Sequence, residues 1–528
     1  MKQESGESSV AEMGRRAFLG AATLGTGAAL AGLGTSVARA ADATAGAPQV
    51  DFPDKPGAFG GGPPGTNNRA EIDLYDCEVE GKLPADLDGT WFRVGPDPQY
   101  PKPDKFAGDI AFDGEGHVSA FRFKNGHVDY KTRYAKTQRW KAQHEARRSL
   151  FGMYRNPTTD DPSVKGLSRG TANTQLFVHH KKLLVFKEDS PPVYMDPHTL
   201  ETVDDYYTFG GKLGSQTHTA HPKIDPVTGE YIGFGYEATG LLSKDIHVFS
   251  ADRNGTINWG VTVQAPYAGM MHDFAVTQKH VILYLTNMVS DMDRIKAGGV
   301  HFSYDSQRPC YLGIMRRGGD GKDLKWFTGT NYFCTHVMGA WSDGDKVTVD
   351  MDGGEGNQFP FFPSLHEPFD PVKGTGYLRR FTVDLSSKTN DRYQTQTLYP
   401  QTTGMLARQD DRHHTLPYRY GYMISTGGWA MVDHSTGQVQ MVTVPGYSLA
   451  EMTFIPRNRK AGEGDGYLIG LGSSQKENGR TDLVLIDTKE PAAGPIARVK
   501  MPFKCVGQVH GFWADASDLP PEGQARKA

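Results

Sequence analysis

Short apolar segments separated by turn residues recur along nearly the whole chain, whereas helical periodicity is scarce. These segments are about four to eight residues long and end at Gly, Asp, Asn or Pro, which is typical of β-strands. Asn125-Gly126 between apolar segments 121–123 and 128–130 predicts a hairpin. Only residues 139–151 have the composition of a surface helix. Further strands are predicted at 174–179, 183–187, 246–250, 257–263, 311–315, 324–327, 346–351, 377–383, 393–398, 421–425, 429–433 and 482–486.

So many short strands in a chain of 528 residues favour the radial repetition of small sheets. A single barrel or sandwich would have to contain more than about 400 residues in one sheet system. The 63 Gly and 32 Pro suit many tight turns, and 38% hydrophobic residues are enough for a substantial core. We therefore predict an all-β propeller, although the number of blades does not follow from the periodicity.

The first 40 residues are typical of a targeting segment. Arg15-Arg16 precedes a weakly apolar Ala/Gly/Leu stretch that ends in small residues at Ala38-Arg39-Ala40. A membrane anchor is the alternative, but a spanning helix needs about 20 strongly apolar residues. We expect a cleaved twin-arginine signal at 1–40, export to the periplasm, a flexible lead-in at 41–70, a propeller domain at 71–515 and a tail at 516–528.

Charge and cysteine content exclude several classes of function. A net charge of -4 and a pI near 6.5 provide no basic field for nucleic acid, so a small uncharged ligand is favoured. The four cysteines include no Cys-x-x-Cys pair, which leaves zinc-finger and thioredoxin interpretations without support. We expect buried free thiols.

Four of the 18 histidines share one setting, the edge of a predicted strand beside small, apolar or turn residues. They are His221, His272, His336 and His510, and successive members are 51, 64 and 174 residues apart. This spacing is compatible with one histidine on each of four blades, all facing the propeller axis. Neutral imidazoles suit Fe(II), and a site without anionic ligands stays cationic and leaves positions for O2. A single histidine at a strand end is more often a hydrogen-bonded core residue, so spacing alone leaves both interpretations open.

The sequences around these histidines resemble the carotenoid cleavage oxygenase family, and more closely its bacterial lignostilbene dioxygenase branch. The similar segments occur in the family's order, at 83–96, 220–230, 270–277 and 509–512. The resemblance implies a seven-bladed propeller with a loop-and-helix dome over the axis. It also implies one Fe(II) per chain, held by the four histidines.

The family orients its ligand histidines with glutamates, and two of these are matched here. Glu188 and Glu451 stand at the corresponding positions, where a carboxylate accepts a hydrogen bond from the outer imidazole nitrogen. The third position departs from the family, because Met405 replaces the glutamate of its Glu-Phe-Pro-Arg motif. Either Asp410 or a water then orients the corresponding ligand histidine, or that histidine has no such partner.

The resemblance to the lignostilbene branch implies three substrate-contacting residues. Lys187, beside Glu188, and Tyr154, in Gly-Met-Tyr-Arg-Asn, match groups that hold the para-hydroxyl of the substrate. Phe112 matches an aromatic residue that packs on the stilbene ring. A phenolate held by a cation and a donor pushes electron density onto the alkene. The implied reaction is cleavage of the central double bond of a 4-hydroxystilbene by O2 into two aldehydes.

Other functions stay open at this level. A carotenoid, an apocarotenoid or an isoeugenol-type phenylpropenoid is an alternative substrate, and a long apolar tunnel without a lysine would favour the carotenoids. A catalytically inactive ligand-binding propeller is the alternative from another class, and Met405 is the residue that supports it. The sequence leaves homodimer formation undecided.

Overall fold

A computed structural model describes residues 69–106, 109–110, 112–477 and 479–522 of the chain. The signal predicted at 1–40 and most of the lead-in predicted at 41–70 lie outside the described residues. Seven sheets of four or five antiparallel strands and one separate two-stranded ribbon make up the described part. The predicted seven-bladed all-β propeller is therefore confirmed.

The first and last blades contain strands from both ends of the described chain. The first blade has the spatial order β1-β5-β4-β3-β32 and the last has the order β2-β31-β30-β29-β28. The strands of the first blade are β1 (Asp73–Leu74), β3 (Gly89–Pro96), β4 (Gly116–Lys124), β5 (His127–Tyr134) and β32 (His510–Asp515). Those of the last are β2 (Val79–Gly81), β28 (Tyr447–Pro456), β29 (Gly466–Ser474), β30 (Thr481–Asp487) and β31 (Pro495–Lys500).

The five blades between them each have four strands that follow chain order outwards from the axis. The second blade contains β6 (Gln175–His179), β7 (Lys182–Phe186), β8 (Val193–Met195) and β9 (Thr202–Asp204), and the third β10 (Lys223–Ile224), β11 (Tyr231–Tyr236), β12 (Asp245–Ala251) and β13 (Ile257–Gln264). The fourth contains β14 (Phe274–Val276), β15 (His280–Leu285), β18 (Tyr311–Arg316) and β19 (Lys325–Phe327), with the ribbon β16 (Met288–Ser290) and β17 (Phe302–Tyr304) inserted. The fifth contains β20 (Phe333–Asp343), β21 (Lys346–Gly354), β22 (Tyr377–Asp384) and β23 (Gln394–Thr397), and the sixth β24 (Met405–Gln409), β25 (Tyr420–Ser425), β26 (Gly428–Asp433) and β27 (Gln438–Val442).

The ring of blades is closed by pairing between distant parts of the chain. Strand β32 runs antiparallel to β3, with His510 opposite Val94, and β2 pairs with β31 at the outer edge of the last blade. Trp91 on β3 is fully buried, and its indole N–H donates to Thr453 Oγ1 on β28 at 3.0 Å. Closure of this kind leaves only short, protected strand edges, which suits a propeller.

Apolar side chains fill the spaces between neighbouring blades. Trp91 and Phe121 of the first blade pack in one cluster with Ile469 and Leu485 of the last. All four cysteines are buried and unpaired, as expected. The predicted tail remains packed as far as Leu519, which contacts the cluster between the first two blades.

Helical segments are short and belong to the connections between strands. Helix α1 (Gln138–Ala146) begins at the N-cap Thr137, and α2 (Met292–Lys296) begins at the N-cap Asp291. The helix predicted at 139–151 was wrong at its C-terminal end. Arg147 adopts a left-handed φ of 53°, and the Gln143 amide oxygen accepts from the backbone N–H of Leu150, which turns the chain away. The 3-10 helices are Asp104–Phe106, Pro157–Thr159, Pro162–Val164, Asp411–His413, Pro491–Ala493 and Ala516–Asp518.

Among the described residues, no helix has both the length and the apolar character needed to cross a bilayer.

We expect Trp91→Ala to lower the free energy of unfolding by about 3–5 kcal/mol, because it removes a fully buried indole at the closure of the ring. Urea unfolding followed by far-UV circular dichroism measures this change. Tyr75→Ala is the control, since Tyr75 is 77% exposed and its replacement should cost little. Equal stability of the two variants would contradict the packing described here.

Candidate metal centre and adjoining aromatic cluster

The innermost strands of four blades bring the four histidines to the propeller axis. His221 lies just before β10, His272 lies just before β14, and His510 is the first residue of β32. His336 lies within β20 where the pairing with β21 shifts register between Cys334 and Val337. Such a bulge redirects a side chain, which explains how a residue in mid-strand points at the axis.

The imidazole nitrogens of the four histidines converge on one point. One nitrogen from each ring lies within 4.8 Å of those of the other three. The Nε2 atom of His272 is 3.2 Å from Nε2 of His221 and also 3.2 Å from Nε2 of His336. Two cis ligands at a metal–nitrogen distance of about 2.1 Å would be roughly 3.0 Å apart. The geometry therefore fits a single divalent ion bound by imidazoles alone.

Burial keeps two of these imidazoles neutral, which is the form that binds a metal. Desolvation, followed by the neighbouring rings of His272, His510 and His336, lowers the pKa of His221 well below its usual value. Desolvation also lowers the pKa of His510 to about 4, although Glu451 opposes this shift. Both rings are ready to donate a lone pair at neutral pH.

Two glutamates contact the outer nitrogens of two ligand histidines. His272 Nδ1 donates to Glu188, which follows β7, and His510 Nδ1 donates to Glu451 at 2.8 Å. Burial would raise the pKa of Glu451, but His510 and Arg408 lower it to about 2. Such contacts fix the tautomer that leaves Nε2 unprotonated toward the axis.

The third carboxylate is an aspartate that sequence reasoning missed. Asp352 on β21 is fully buried, with Oδ2 at 3.3 Å from His336 Nδ1. Asp410, considered from the sequence as a replacement for the missing glutamate, instead pairs with Arg412 at 2.6 Å. The available signal was an acidic residue directly after the strand predicted at 346–351, because a buried carboxylate needs a partner.

A cluster of buried and partly buried side chains next to the histidines contains the three residues that the resemblance associates with substrate. Tyr154 and Lys187 are both buried, and Lys187 Nζ lies 5.1 Å from the centre of the Tyr154 ring. Lys187 Nζ donates to Asn173 Oδ1 at 3.2 Å and to the carbonyl oxygen of Phe112 at 3.4 Å. No carboxylate of the described residues lies within ion-pair distance of Lys187.

Three phenylalanines that sequence reasoning missed belong to the same cluster. The ring of Phe359 lies 6.0 Å from that of His272, and the ring of Phe361 lies 5.3 Å from that of Phe112. Phe362 is 6.2 Å from Tyr154, so the three rings connect the metal centre to the lysine. The run of aromatic and proline residues at 359–363 was the available signal.

Buried polar contacts hold Tyr154 in place. Its backbone N–H donates to Asp109 at 2.8 Å, and the next residue, Arg155, has a left-handed φ of 51°. The Arg155 guanidinium pairs with Glu237 at 2.6 Å, and Glu237 also accepts from His301 at 2.9 Å. Burial raises the pKa of Tyr154 well above its usual value, so its phenol stays protonated and can donate.

Comparisons with known proteins agree with this geometry. The sequence profile of the retinal pigment epithelial membrane protein family matches residues 65–515. The lignostilbene-alpha,beta-dioxygenase isozyme III of Sphingomonas paucimobilis is 43% identical over 495 residues, covering 89% of this chain and 99% of that protein. The isoeugenol monooxygenase of Pseudomonas putida is 38% identical over 465 residues, covering 84% of this chain and 95% of that protein.

A solved structure supports the same assignment. The lignostilbene dioxygenase of Pseudomonas brassicacearum superposes with a TM-score of 0.83 at 36% identity, covering 89% of this chain and 100% of that one. The match therefore extends over the blades, the four histidines and the connections above them. This chain belongs to the carotenoid oxygenase family of alkene-cleaving oxygenases.

Proposed function

We propose that the protein cleaves the central double bond of a 4-hydroxystilbene with O2 and that its four histidines hold one Fe(II). One observation carries the choice of substrate. Lys187 is a buried ammonium group with no carboxylate of the described residues within ion-pair distance, and it lies beside Tyr154 in an aromatic cluster that extends to His272.

The lysine favours a substrate that brings its own negative charge. A buried cation paired only with neutral oxygens is costly, and a phenolate would offset that cost. Tyr154 stands next to Lys187 with a protonated hydroxyl that can donate to the same oxygen. Together they would stabilise the phenolate, which pushes electrons through the conjugated ring onto the alkene.

The aromatic residues would align the flat, conjugated substrate. Phe112, Phe361 and Phe359 form a continuous series of ring contacts that ends at His272. Rings of this kind pack favourably on a stilbene and exclude water from the double bond. When bound, the ferrous ion supplies O2 activation. Each carbon of the cleaved alkene takes one oxygen atom of O2, so the products are two aldehydes.

An isoeugenol-type phenylpropenoid is the second candidate. Such a substrate also carries a phenol conjugated with an alkene, so Lys187 and Tyr154 would bind it in the same way. The similarity to isoeugenol monooxygenase supports this alternative. A carotenoid has no phenol, and a buried lysine would be a disadvantage in its tunnel. The two phenolic candidates differ on the side of the alkene away from the phenol, where only the stilbene has a second aromatic ring.

We also propose that the protein acts in the periplasm after export by the twin-arginine route. Arg15-Arg16 and the weakly apolar stretch that follows support this location. That route carries folded proteins, which suits a metal centre assembled before export.

Aerobic incubation with a substrate panel tests the proposed reaction. The panel contains a 4-hydroxystilbene, its 4-methoxy analogue, isoeugenol and an apocarotenal, and mass spectrometry identifies the aldehydes. We expect two aromatic aldehydes from the 4-hydroxystilbene and little product from the 4-methoxy analogue, which cannot form a phenolate. Preferred turnover of isoeugenol would support the second candidate, and preferred turnover of the apocarotenal would refute both.

Lys187→Met tests the phenolate contact. We expect kcat/KM for the 4-hydroxystilbene to fall roughly 10- to 150-fold, the equivalent of losing a charged hydrogen bond of about 1.5–3 kcal/mol. The iron content should not change. Lys182→Met, on β7 five residues earlier, is the matched control, because Lys182 lies over Tyr194 and outside the aromatic cluster that contains Tyr154. A parallel loss of iron and activity in Lys187→Met would contradict the assigned role.

Replacing Arg15-Arg16 by Lys-Lys tests the location. We expect the protein with Arg15-Arg16 to accumulate in the periplasmic fraction. The double variant should remain in the cytoplasm with its activity intact. Cell fractionation followed by immunoblotting measures the distribution. Equal distributions of the two proteins would argue against this export route.

A further inference from the structure

The four ligand histidines differ in what contacts their outer nitrogens. Glutamates contact His272 and His510, whereas no carboxylate of the described residues lies within ion-pair distance of His221. His336 has a third kind of surrounding, because its Nδ1 lies 3.3 Å from the carboxylate of an aspartate, Asp352. An aspartate is one methylene shorter than a glutamate, so it must approach from a different part of the backbone.

Asp352 approaches from the strand that pairs directly with the strand of His336. It lies on β21, next to β20, and its side chain is fully buried. Its Oδ1 accepts from Thr335 Oγ1 at 2.6 Å and from the backbone N–H of His336 at 3.1 Å. Its Oδ2 faces His336 Nδ1 and also accepts from the backbone N–H of Ala407 at 3.1 Å. One carboxylate therefore holds the backbone and the ring of a ligand histidine at the same time.

The contact with Ala407 connects Asp352 to the segment where the expected glutamate is absent. Met405 is the first residue of β24, and the pairing of β24 with β25 shifts register between Met405 and Arg408. Leu406 within this bulge has a left-handed φ of 53°, which turns the N–H of Ala407 toward Asp352. The thioether of Met405 cannot replace a carboxylate as acceptor for an imidazole N–H.

We infer that Asp352 is the positioning residue for His336. From β21 it orients the imidazole, which is the role that a glutamate at position 405 would have from β24. The carboxylate selects the tautomer with Nε2 free and holds the ring toward the common centre. Because Oδ1 also binds the backbone at the bulge of β20, the orientation of His336 depends on this residue more than the 3.3 Å ring contact alone suggests. The inference rests on the metal centre and is independent of the proposed substrate.

Metal binding without substrate tests the inference. In Asp352→Asn we expect the affinity for Co(II), measured by chelator competition, to fall roughly 10- to 100-fold, as is usual when a partner of a ligand histidine is lost. The visible spectrum of the bound Co(II) should also change, because one imidazole is no longer fixed. A stilbene assay plays no part here, so failure of the proposed substrate leaves this test unaffected.

Asp350→Asn is the matched control. Asp350 lies on the same strand and is equally buried, but its carboxylate pairs with Arg380 at 2.8 Å and accepts from Tyr418 at 2.6 Å. The Asp350→Asn substitution should lower the melting temperature, whereas the affinity for Co(II) and the Co(II) spectrum should equal those of the parent protein. Parental Co(II) binding in Asp352→Asn, or the same loss in both variants, would overturn the inference.

A second variant separates positioning from folding. Adding Met405→Glu to Asp352→Asn supplies a carboxylate at the other position, and we expect at least a threefold recovery of Co(II) affinity together with the parental spectrum. A purely structural Asp352 would not be rescued from a different strand. Absence of any recovery in a folded double variant would refute the equivalence of the two positions.

Discussion

The convergence of four imidazoles on the propeller axis is the constraint on which the rest of the structure depends. Each ring comes from the inner edge of a different blade, so the site exists only when the ring of blades is closed. Closure is supplied by β32 pairing with β3, and His510 is the first residue of that closing strand. The complete set of four ligands therefore requires a closed ring.

Buried carboxylates convert this convergence into a defined set of ligands. Neutral imidazoles close together repel little, but each can rotate or protonate the wrong nitrogen unless its outer nitrogen is held. Glu188, Glu451 and Asp352 hold three of the rings. Bulges lie at two of these contacts: Glu451 is within the register shift at Leu449 to Met452, and Asp352 faces the shift at Cys334 to Val337 in the strand of His336. Irregular pairing at the axis thus has a functional role.

The aromatic cluster beside the centre combines apolar rings with the buried cation of Lys187. The phenylalanines and Tyr154 come from connections above the blades, whereas Lys187 follows directly after strand β7. The lysine is therefore tied to a strand, whereas the rings around it belong to connections, which are the more variable parts of a fold.

The sequence by itself determined fewer than half of the strands, through turn residues and apolar periodicity, and it missed others such as β15, β20 and β28. The four histidines and two of their glutamates were identified by motif segments that resemble the family, and such segments are local features. Helix α1 was placed but ended too late, since its end depends on a side-chain contact from Gln143 to Leu150. Only the tertiary structure decided that Asp352 contacts His336 and that Phe359 lies beside His272. These contacts join segments whose proximity depends on strand register and on the packing of connections, and neither is encoded in a local pattern.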